Sequence, residues 1–502
     1  MRLLEKNNFW IKSLIYILIG SVIGVSYISP VLYWFAFLGA FLFLLALAKE
    51  NKRSATLWGS FVVFTTAFSW SLAWFYSMYP ILWLPAEIVN YQITIITAYW
   101  LTSSLWQGMA GVFFGFGFWY LYRNYQNKLL LVPAIPILWV LTEILASFSF
   151  SVFTIGEHIV PNANFSFGYI GYILANNPIT IQFAYLGGVY LMSFVVIFVT
   201  TLVWVFLNID KSQIKNLIIL AVFDTAWIAT LILILIFKPT AVETDYQYSV
   251  AVIETEFSAS VFKSEELFMA RQEALSEAIK EAMKLNPTHI VLPEDSRLLD
   301  PNFTVPQTKT YLNFAYNYDG VLIDSGRKEY ENGSVLRAMI YDGKANEIYQ
   351  TDKQYLVPQG EFAPYLYTSL ISQFMSKDTL MKIKKQFSYR PGPLVSQAKL
   401  PANIPAILFC FESVSPVGVK KITKDREVPF VVHPLSHSWF NEAVIFWHQL
   451  DNMLKVQAVW NQVDIVSIAN KSQSKIYRKS GHIKIPETVK TGEEWKIYTV
   501  DI

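Results

Sequence analysis

The apolar residues of the first 238 positions form long stretches, whereas those of the remaining chain form short ones. The 36 positions between Lys12 and Lys49 carry no charge, and only the polar segment 26–30 interrupts them. About 20 apolar residues in a helix cross the ~30 Å hydrocarbon core of a bilayer. The pattern therefore predicts an α-helical transmembrane bundle of about seven spans, with two in 13–48 and one each in 54–86, 88–122, 129–150, 179–207 and 216–237.

The basic residues of this region predict how the spans are oriented. If seven spans alternate sides, ten Lys and Arg residues fall on one set of loops, and none falls in the loops around 26–30, 77–92 and 150–178. Because cytoplasmic loops are enriched in Lys and Arg, the N-terminus is expected in the cytoplasm and residues 239–502 on the outer side. The ten residues are Arg2, Lys6, Lys12, Lys49, Lys52, Arg53, Arg123, Lys128, Lys211 and Lys215.

Short apolar stretches alternate with amphipathic ones in the second part of the chain. Segment 248–255 is rich in β-branched residues, which is typical of a buried strand. Ser264 is a suitable N-cap for a helix that places Leu275 and Ile279 on one face. Alternating strands and helices predict an α/β sandwich with apolar central strands. Further strands are predicted at 289–294, 320–326, 334–342, 406–412, 427–440 and 464–470.

Charge is divided as unevenly as hydrophobicity. Residues 1–238 hold 11 of the 40 Lys and Arg residues and 7 of the 38 Asp and Glu residues, which predicts a transmembrane helical domain there and a water-soluble domain over 239–502. The net charge is +2, so neither part has the strong basic excess of a nucleic-acid-binding protein. Cys410 is the only cysteine, so no intrachain disulfide can form on an oxidising side of the membrane.

Three side chains near predicted strand ends are candidates for chemistry. Glu294 ends the strand HIVLPE, Cys410 follows AILF, and Lys353 lies in the loop 351–365. Taken singly, each has an ordinary explanation: a solvated carboxylate, an inert buried thiol and a surface lysine. Glu412 lies two positions after Cys410 and shares its face if the strand continues. A thiol near a carboxylate and a lysine can be held as a thiolate nucleophile.

The order and surroundings of these residues resemble the Glu–Lys–Cys pattern of the nitrilase (carbon–nitrogen hydrolase) superfamily. The segments LPE, DKQYLVPQGEFAPY and FCFE contain Glu294, Lys353 and Cys410 in that order. Within them, Glu361 of LVPQGE matches a second family glutamate, and Glu412 matches the glutamate that follows the nucleophile. With apolar spans in front, nearly the whole chain resembles the apolipoprotein N-acyltransferase family, the membrane-anchored branch of this superfamily.

This resemblance implies a nitrilase-like α-β-β-α sandwich and acyl transfer through a cysteine thioester. Glu294 would act as general base, Cys410 would attack an ester carbonyl of a membrane phospholipid, and Lys353 would stabilise the oxyanion. Glu361 and Glu412 would position the lysine and the acid–base pair. The acyl chain would then pass to the amine of a diacylglyceryl-cysteine on a lipoprotein at the bacterial cytoplasmic membrane. The resemblance implies no metal and no cofactor.

Several segments depart from the family pattern. Phe411 stands where a tyrosine is usual, His437 lies in the segment that matches the NDAWF loop, and residues 493–502 are polar where most members have a further span. Two alternatives therefore stay open: a membrane-tethered amidase or acyl hydrolase that passes the thioester to water, and a non-catalytic envelope scaffold. Glu143 and Asp224 fall within predicted spans, and we interpret them as contacts between helices rather than as catalysts.

Overall fold

The computed structural model describes residues 8–81, 86–125, 127–208, 229, 248–258, 264–372, 376–394 and 397–502. Asp224 and the predicted seventh span, apart from position 229, lie outside these residues. The described chain consists of a helical bundle, residues 9–208, followed by an α/β part, residues 248–501.

The long apolar stretches of the first part form α-helices. The segment 88–122, predicted as one span, contains two consecutive helices that meet at Met109 in the sequence QGMAG. Gly108 at this division lies so close to Thr65 that a Cβ atom would clash with it. The helices are α1 (Phe9–Val25), α2 (Trp34–Ala48), α3 (Arg53–Ser71), α4 (Gln92–Gly108), α5 (Ala110–Asn124), α6 (Leu131–Phe153) and α7 (Ala184–Asn208), with 3-10 helices at Pro30–Leu32, Ala73–Met78, Ala86–Tyr91, Lys128–Leu130, Ile170–Asn176 and Thr180–Phe183.

Three stretches of the described helices are long and apolar enough to cross a membrane, namely Arg53–Met78, Lys128–Phe153 and Thr180–Asn208. The apolar helices α1 and α2 are shorter, with 17 and 15 residues. The described part of the chain therefore supports a membrane protein but does not establish seven spans.

The surface of the bundle is apolar, as expected for helices surrounded by lipid. Trp10, Trp34 and Phe206 are each more than half exposed, which is costly in water and favourable in hydrocarbon. Inside the bundle, small residues allow close helix packing. At Gly24 of α1, for example, a Cβ atom would lie 2.5 Å from the Trp70 side chain of α3.

The two ends of the bundle differ in charge and in what they contact. At one end, Lys12 Nζ lies 2.7 Å from Glu50 Oε2, and Arg123 donates a hydrogen bond to the Glu50 carbonyl. At the other end, the Ser71 hydroxyl donates to Gln449 Oε1 of the α/β part at 3.0 Å. The basic residues of three predicted loops thus lie at the bundle end opposite the α/β part.

Twelve strands and six α-helices make up the described α/β part. The strands are β1 (Ser249–Thr255), β2 (His289–Val291), β3 (Val321–Tyr330), β4 (Gly333–Asp342), β5 (Glu347–Asp352), β6 (Ala406–Ile407), β7 (Val431–Ser436), β8 (Ile465–Asn470), β9 (Lys475–Tyr477), β10 (Ile483–Lys484), β11 (Thr488–Thr491) and β12 (Trp495–Asp501). The helices are Glu265–Met283, Val305–Ala315, Tyr365–Ile371, Lys377–Gln386, Gly418–Thr423 and Val444–Asn461.

These elements form two sheets that pack face to face between outer helices. One sheet has the order β11-β12-β1-β2-β3-β4-β5 and the other β6-β7-β8-β9-β10, and the pair Thr255–Asn470 joins them. Strands alternate their side chains between two faces. Thus Val250 and Val252 of β1 pack against the second sheet, whereas Ala251 and Ile253 pack under the helix Glu265–Met283.

The polar residues at 493–502 belong to this sheet rather than to a span. They form β12, which pairs antiparallel with β1 in the register Ser249–Asp501 to Thr255–Trp495. The apolar side chains of this strand are buried and its polar ones are partly or fully exposed, which accounts for the mixture of polar and apolar residues in the segment.

One predicted strand differs in a way that matters for the site. The segment 406–412 was expected to form one strand with Cys410 and Glu412 on the same face, but β6 ends at Ile407 and a 3-10 helix spans Cys410–Val414. That strand prediction is wrong, because Glu412 folds back on its own segment. Its Oε2 accepts a hydrogen bond from the Phe409 N–H at 3.0 Å, which stabilises the turn.

The outer helix Val444–Asn461 joins the α/β part to the bundle. One continuous apolar core contains residues of both, including Val196 of α7 and Val456 of this helix. Where the two meet, Gly188 of α7 has a positive φ of 58°, and a Cβ atom there would lie 2.2 Å from the Trp460 ring. Glycine is therefore required at this contact for both its backbone conformation and its lack of a side chain.

Candidate active site

Glu294 follows β2 at the carboxyl end of the first sheet. It is 8% exposed. The chain turns sharply after it, because Asp295 and Arg297 both have positive φ angles and the Asp295 N–H bonds the Ser325 hydroxyl at 2.9 Å. The turn terminates the strand and fixes the carboxylate at its end.

Lys353 follows the last residue of β5 and is completely buried. Its Nζ lies 3.0 Å from Glu294 Oε1 and 2.7 Å from Glu361 Oε1. The other oxygen of Glu361 accepts a hydrogen bond from the Val357 N–H at 2.8 Å, which stabilises the loop that carries both residues. An ammonium held between two carboxylates is the arrangement that offsets the free-energy cost of burying a lysine.

Cys410 begins the 3-10 helix after β6 and is partly exposed. Its carbonyl accepts hydrogen bonds from the Ser413 hydroxyl and from Nε2 of His433, the latter at 3.0 Å. Nδ1 of His433 in turn lies 2.9 Å from the Ser467 hydroxyl. The backbone of the cysteine is therefore fixed by two neighbouring strands, β7 and β8.

Glu412 connects the cysteine turn to the lysine loop. Besides the Phe409 N–H, its carboxylate accepts the N–H groups of Gln354 at 2.7 Å and Tyr355 at 3.2 Å. These two residues directly follow Lys353 in the chain. One buried carboxylate thus sets the distance between the segments that carry Lys353 and Cys410.

Burial and neighbouring charges shift the pKa values of the three central groups. Burial raises the pKa of Glu294 to about 7, against the opposing effect of the Lys353 ammonium. Burial alone would lower the pKa of Lys353, but Glu294 and Glu361 raise it well above its ordinary value. Burial and Glu294 also raise the pKa of the Cys410 thiol, although Lys353 lowers it. A resting thiolate, which the sequence left as a possibility, would need a pKa shift in the opposite direction.

An apolar cavity of about 120 Å³ lies beside Cys410. Glu294, Glu361 and Cys410 contribute polar groups to its wall, together with Gln359, Ser413, Ser436 and His437. The rest of the wall comes from both parts of the chain, with Trp74, Phe75, Tyr99 and Phe150 from the bundle and Phe411, Phe440 and Phe446 from the α/β part. The cavity therefore offers an apolar chain a path between the bundle and the thiol.

The structure brings together all five residues singled out in the sequence. Glu294, Lys353 and Glu361 are in direct contact, Glu412 bonds both loops, and Cys410 shares a cavity with Glu294. Their chemical roles remain predictions.

Sequence reasoning missed His433, whose signal was a histidine within the apolar run FVVHPL. It also missed Ser166, which contacts the cysteine turn from the bundle.

Glu143 makes contacts that fit the structural interpretation of this residue. Its Oε1 accepts the indole N–H of Trp139 at 3.0 Å and the backbone N–H of Ile170 at 2.7 Å. It thus ties α6 to the segment Ile170–Asn176, which precedes α7.

The fold and site define a class of protein: an apolar helical bundle joined to a two-sheet α/β sandwich, with a buried Glu294–Lys353 ion pair and a partly exposed cysteine that shares a cavity with Glu294. Comparisons with known proteins agree with this class. Residues 19–202 match the family described as apolipoprotein N-acyltransferase N-terminal domain. The apolipoprotein N-acyltransferase of Aquifex aeolicus is 24% identical over 83% of this chain and 84% of its own, and that of Rickettsia prowazekii is 22% identical over 62% and 61%.

A solved structure of a carbon–nitrogen hydrolase superfamily protein from Xanthomonas campestris is also similar. It is 10% identical, covers 51% of this chain and 90% of its own, and has a TM-score of 0.30. The sequence matches extend across the bundle and the α/β part, and they support a divergent member of the apolipoprotein N-acyltransferase family.

Proposed function

We propose that this protein transfers an acyl chain from a membrane phospholipid, through a thioester at Cys410, to the amine of an S-diacylglyceryl-cysteine at the N-terminus of lipoproteins. One observation carries the proposal. Cys410 lies beside the Glu294–Lys353 pair and opens into an apolar cavity that the bundle and the α/β part share. Such a cavity suits an acyl chain, and the pair suits proton transfer and charge stabilisation.

The first step forms the acyl-enzyme. Because its pKa is raised, the Cys410 thiol is protonated at neutral pH and needs a base. Glu294 takes this proton as Sγ attacks the ester carbonyl carbon of the phospholipid. Two N–H bonds of Lys353 go to Glu294 and Glu361, and the third is donated to the oxyanion. The C–O bond then breaks, the proton passes from Glu294 to the leaving oxygen, and lysophospholipid is released.

The second step reverses the roles of the same groups. The acceptor amine attacks the thioester carbonyl, and Glu294 takes a proton from its nitrogen. The C–S bond breaks as an amide forms, and Glu294 returns the proton to Sγ. Lys353 stabilises the second oxyanion as it does the first.

The placement of the site follows from the nature of both substrates, which keep acyl chains in the bilayer. We propose that residues 1–238 are the transmembrane domain and that residues 239–502 are the catalytic domain on the outer side of the bacterial cytoplasmic membrane. Two observations support this placement. Lys12 and Arg123 lie at the bundle end opposite the α/β part, and positive charge favours the cytoplasmic side.

A labelled-lipid experiment tests the proposal. Purified protein in nanodiscs is incubated with phospholipid that carries a radiolabelled acyl chain, and protein-bound label is measured before and after neutral hydroxylamine, which cleaves thioesters. The chain has one cysteine, so a thioester can form only at Cys410. We expect hydroxylamine-sensitive label on the wild type, its loss in Cys410→Ala, and transfer of the label to an added diacylglyceryl lipopeptide.

Other outcomes identify the alternatives. Label released as free fatty acid, with none on the lipopeptide, would indicate the membrane-tethered hydrolase. A wild-type protein that never acquires label from a competent lipid, together with full function of Cys410→Ala in cells, would indicate the scaffold.

A further inference from the structure

His437 lies directly after β7 and contributes to the wall of the cavity beside Cys410. Its ring is surrounded by aromatic side chains. It packs edge-on against Phe440 and Phe446 and nearly parallel to Trp447, with ring centroids 5.4–6.1 Å apart. The side chain is 4% exposed, so its two nitrogens depend on the protein or on a ligand for hydrogen bonds.

One hydrogen bond fixes the tautomer of this ring. The indole N–H of Trp447, which is only a donor, lies 3.0 Å from Nδ1 of His437. Nδ1 must therefore accept, and a neutral imidazole then carries its hydrogen on Nε2. Burial lowers the pKa of His437 to about 3, with smaller effects of His433 and Lys475 in the same direction. The ring is neutral at physiological pH.

The Nε2–H group has no hydrogen-bond partner among the described residues. An unpaired buried donor is unfavourable, and this one belongs to a residue that lines the cavity. The free energy is recovered when a ligand in the cavity supplies an acceptor. Because the surroundings are apolar and the donor is uncharged, the fitting acceptor is a neutral oxygen rather than an anion.

We propose that the Nε2–H group of His437 binds the ester carbonyl at the head of an acyl chain that occupies the cavity beside Cys410. The inference rests on the proposed function for the nature of the ligand. Both the phospholipid and the diacylglyceryl-cysteine have such a carbonyl, placed where an apolar chain meets a polar head. His437 is thus a binding residue for the ester group, distinct from the Glu294–Lys353 pair.

Two substitutions test the hydrogen bonds of the two ring nitrogens separately. In His437→Asn the amide oxygen takes the approximate position of Nδ1 and still accepts from Trp447, but no donor remains at the position of Nε2. In His437→Gln the amide nitrogen reaches the approximate position of Nε2 and keeps a donor there, but Trp447 loses its partner. If His437 binds a ligand, His437→Gln keeps this function and His437→Asn loses it. If His437 instead anchors Trp447, His437→Asn keeps this function and His437→Gln loses it.

Binding without turnover is the primary test. In the Cys410→Ala background, the dissociation constants of a diester phospholipid and of the matching diether phospholipid, which has no carbonyl, are compared in nanodiscs. We expect the diester to bind about 3- to 10-fold more tightly than the diether when His437 is present and in His437→Gln, which keeps the donor. In His437→Asn the preference for the diester should fall by that factor, because Lys353 is the same in all variants. The matched control is His448→Asn, because His448 is a partly buried histidine of the same helix as Trp447 and lines a different cavity.

Kinetics distinguish the two sources of the ester. If His437 binds the phospholipid, His437→Asn raises the KM of thioester formation. If it binds the acceptor, thioester formation is unchanged and the lipopeptide concentration needed for discharge rises. An ester preference that is as large in His437→Asn as with His437 present, or that is lost in His437→Gln and kept in Asn, would overturn the inference. Because the binding test needs no acyl transfer, it can fail or succeed whether or not the proposed function holds.

Discussion

The hydroxyl group of Ser166, in the loop between α6 and α7, donates a 2.6 Å hydrogen bond to the carbonyl of Val414, which lies 248 positions away in the 3-10 helix that begins at Cys410. The Ser166 N–H bonds the same carbonyl at 3.3 Å. Beside it, Asn164 Oδ1 accepts the Ser415 hydroxyl at 3.0 Å. A loop of the bundle therefore holds the turn that carries the thiol.

Ser166→Ala is expected to loosen the cysteine turn. The change removes one of the two hydrogen bonds to the Val414 carbonyl in a completely buried position, and also the partner of the Tyr172 hydroxyl. We expect the free energy of unfolding to fall by about 1–3 kcal/mol and thioester formation to slow by about 10- to 100-fold through misplacement of the thiol. Denaturation in detergent and single-turnover labelling measure the two effects.

Ser69→Ala is the control for this change, because the Ser69 hydroxyl donates at 2.8 Å to Thr65 in its own helix. It should change neither quantity appreciably. Equal effects of the two substitutions on labelling would contradict a specific role for the Ser166 contact.

Lys353→Met is expected to be harmful to both stability and activity. Without the ammonium, Glu294 and Glu361 face each other in a buried site. Breaking a buried ion pair in this way costs about 3–5 kcal/mol, and loss of an oxyanion donor slows acyl transfer by about 100- to 1,000-fold. The measurements are denaturation and single-turnover labelling.

Lys309→Met is the control, and it tests whether loss of any paired lysine lowers stability and slows labelling in the same way. Lys309 lies 3.1 Å from Glu347, whose side chain is 55% exposed. Pairs of this kind contribute about 0–1 kcal/mol. If Lys353→Met labels Cys410 at the wild-type rate, Lys353 has no part in stabilising the oxyanion.

The rate of thioester formation should fall as the pH is lowered through about 7. Glu294 acts as base only when ionised, and its pKa is raised to about 7 by burial. Below that pH the ionised fraction falls about tenfold per unit, and the rate falls with it. Single-turnover labelling between pH 5 and 9 gives the midpoint.

Glu361→Gln should move this midpoint to lower pH. The Glu361 carboxylate raises the pKa of Glu294 by repulsion, and its removal leaves Lys353 to favour the ionised form. A midpoint that moves upward, or a rate independent of pH, would show that Glu294 is not the base.

Glu412→Gln is expected to slow acylation without weakening lipid binding. Glu412 accepts the N–H groups of Phe409, Gln354 and Tyr355. An amide has one acceptor oxygen and an NH2 group that faces a donor, so at least one of these bonds is lost. We expect a lower single-turnover rate, by about 10- to 100-fold, at an unchanged KM. The exposed Glu487→Gln serves as control, and a changed KM alone would point to lipid contact instead.

Much of the fold could be predicted from residue patterns. Apolar stretches without charge gave the positions of α1, α2, α3, α6 and α7, and β-branched runs gave those of β1, β2, β4 and β8. The errors lie where a local contact overrides the pattern. The segment predicted as one span at 88–122 contains two helices that meet at Met109, and a hydrogen bond to the Glu412 carboxylate stabilises the turn where the strand predicted at 406–412 ends.

The site could be predicted only as a set of residues. The motifs around Glu294, Lys353 and Cys410 indicated which residues to examine, and the structure brings the segments that carry them together. No pattern in the sequence indicated that Ser166 contacts the cysteine turn or that His437 has one nitrogen bound and the other unpaired among the described residues. Contacts of this kind join positions far apart in the chain, so local periodicity does not record them.

The sequence by itself determined that this protein has an apolar helical part, an α/β part and a single thiol, because hydrophobic length, strand alternation and residue counts are properties of the chain alone. Only the tertiary structure decided that the Lys353 ammonium lies between Glu294 and Glu361, that the thiol pKa is raised rather than lowered, and that the cavity has walls from both parts. Burial and charge proximity set these properties, and both depend on which distant residues meet.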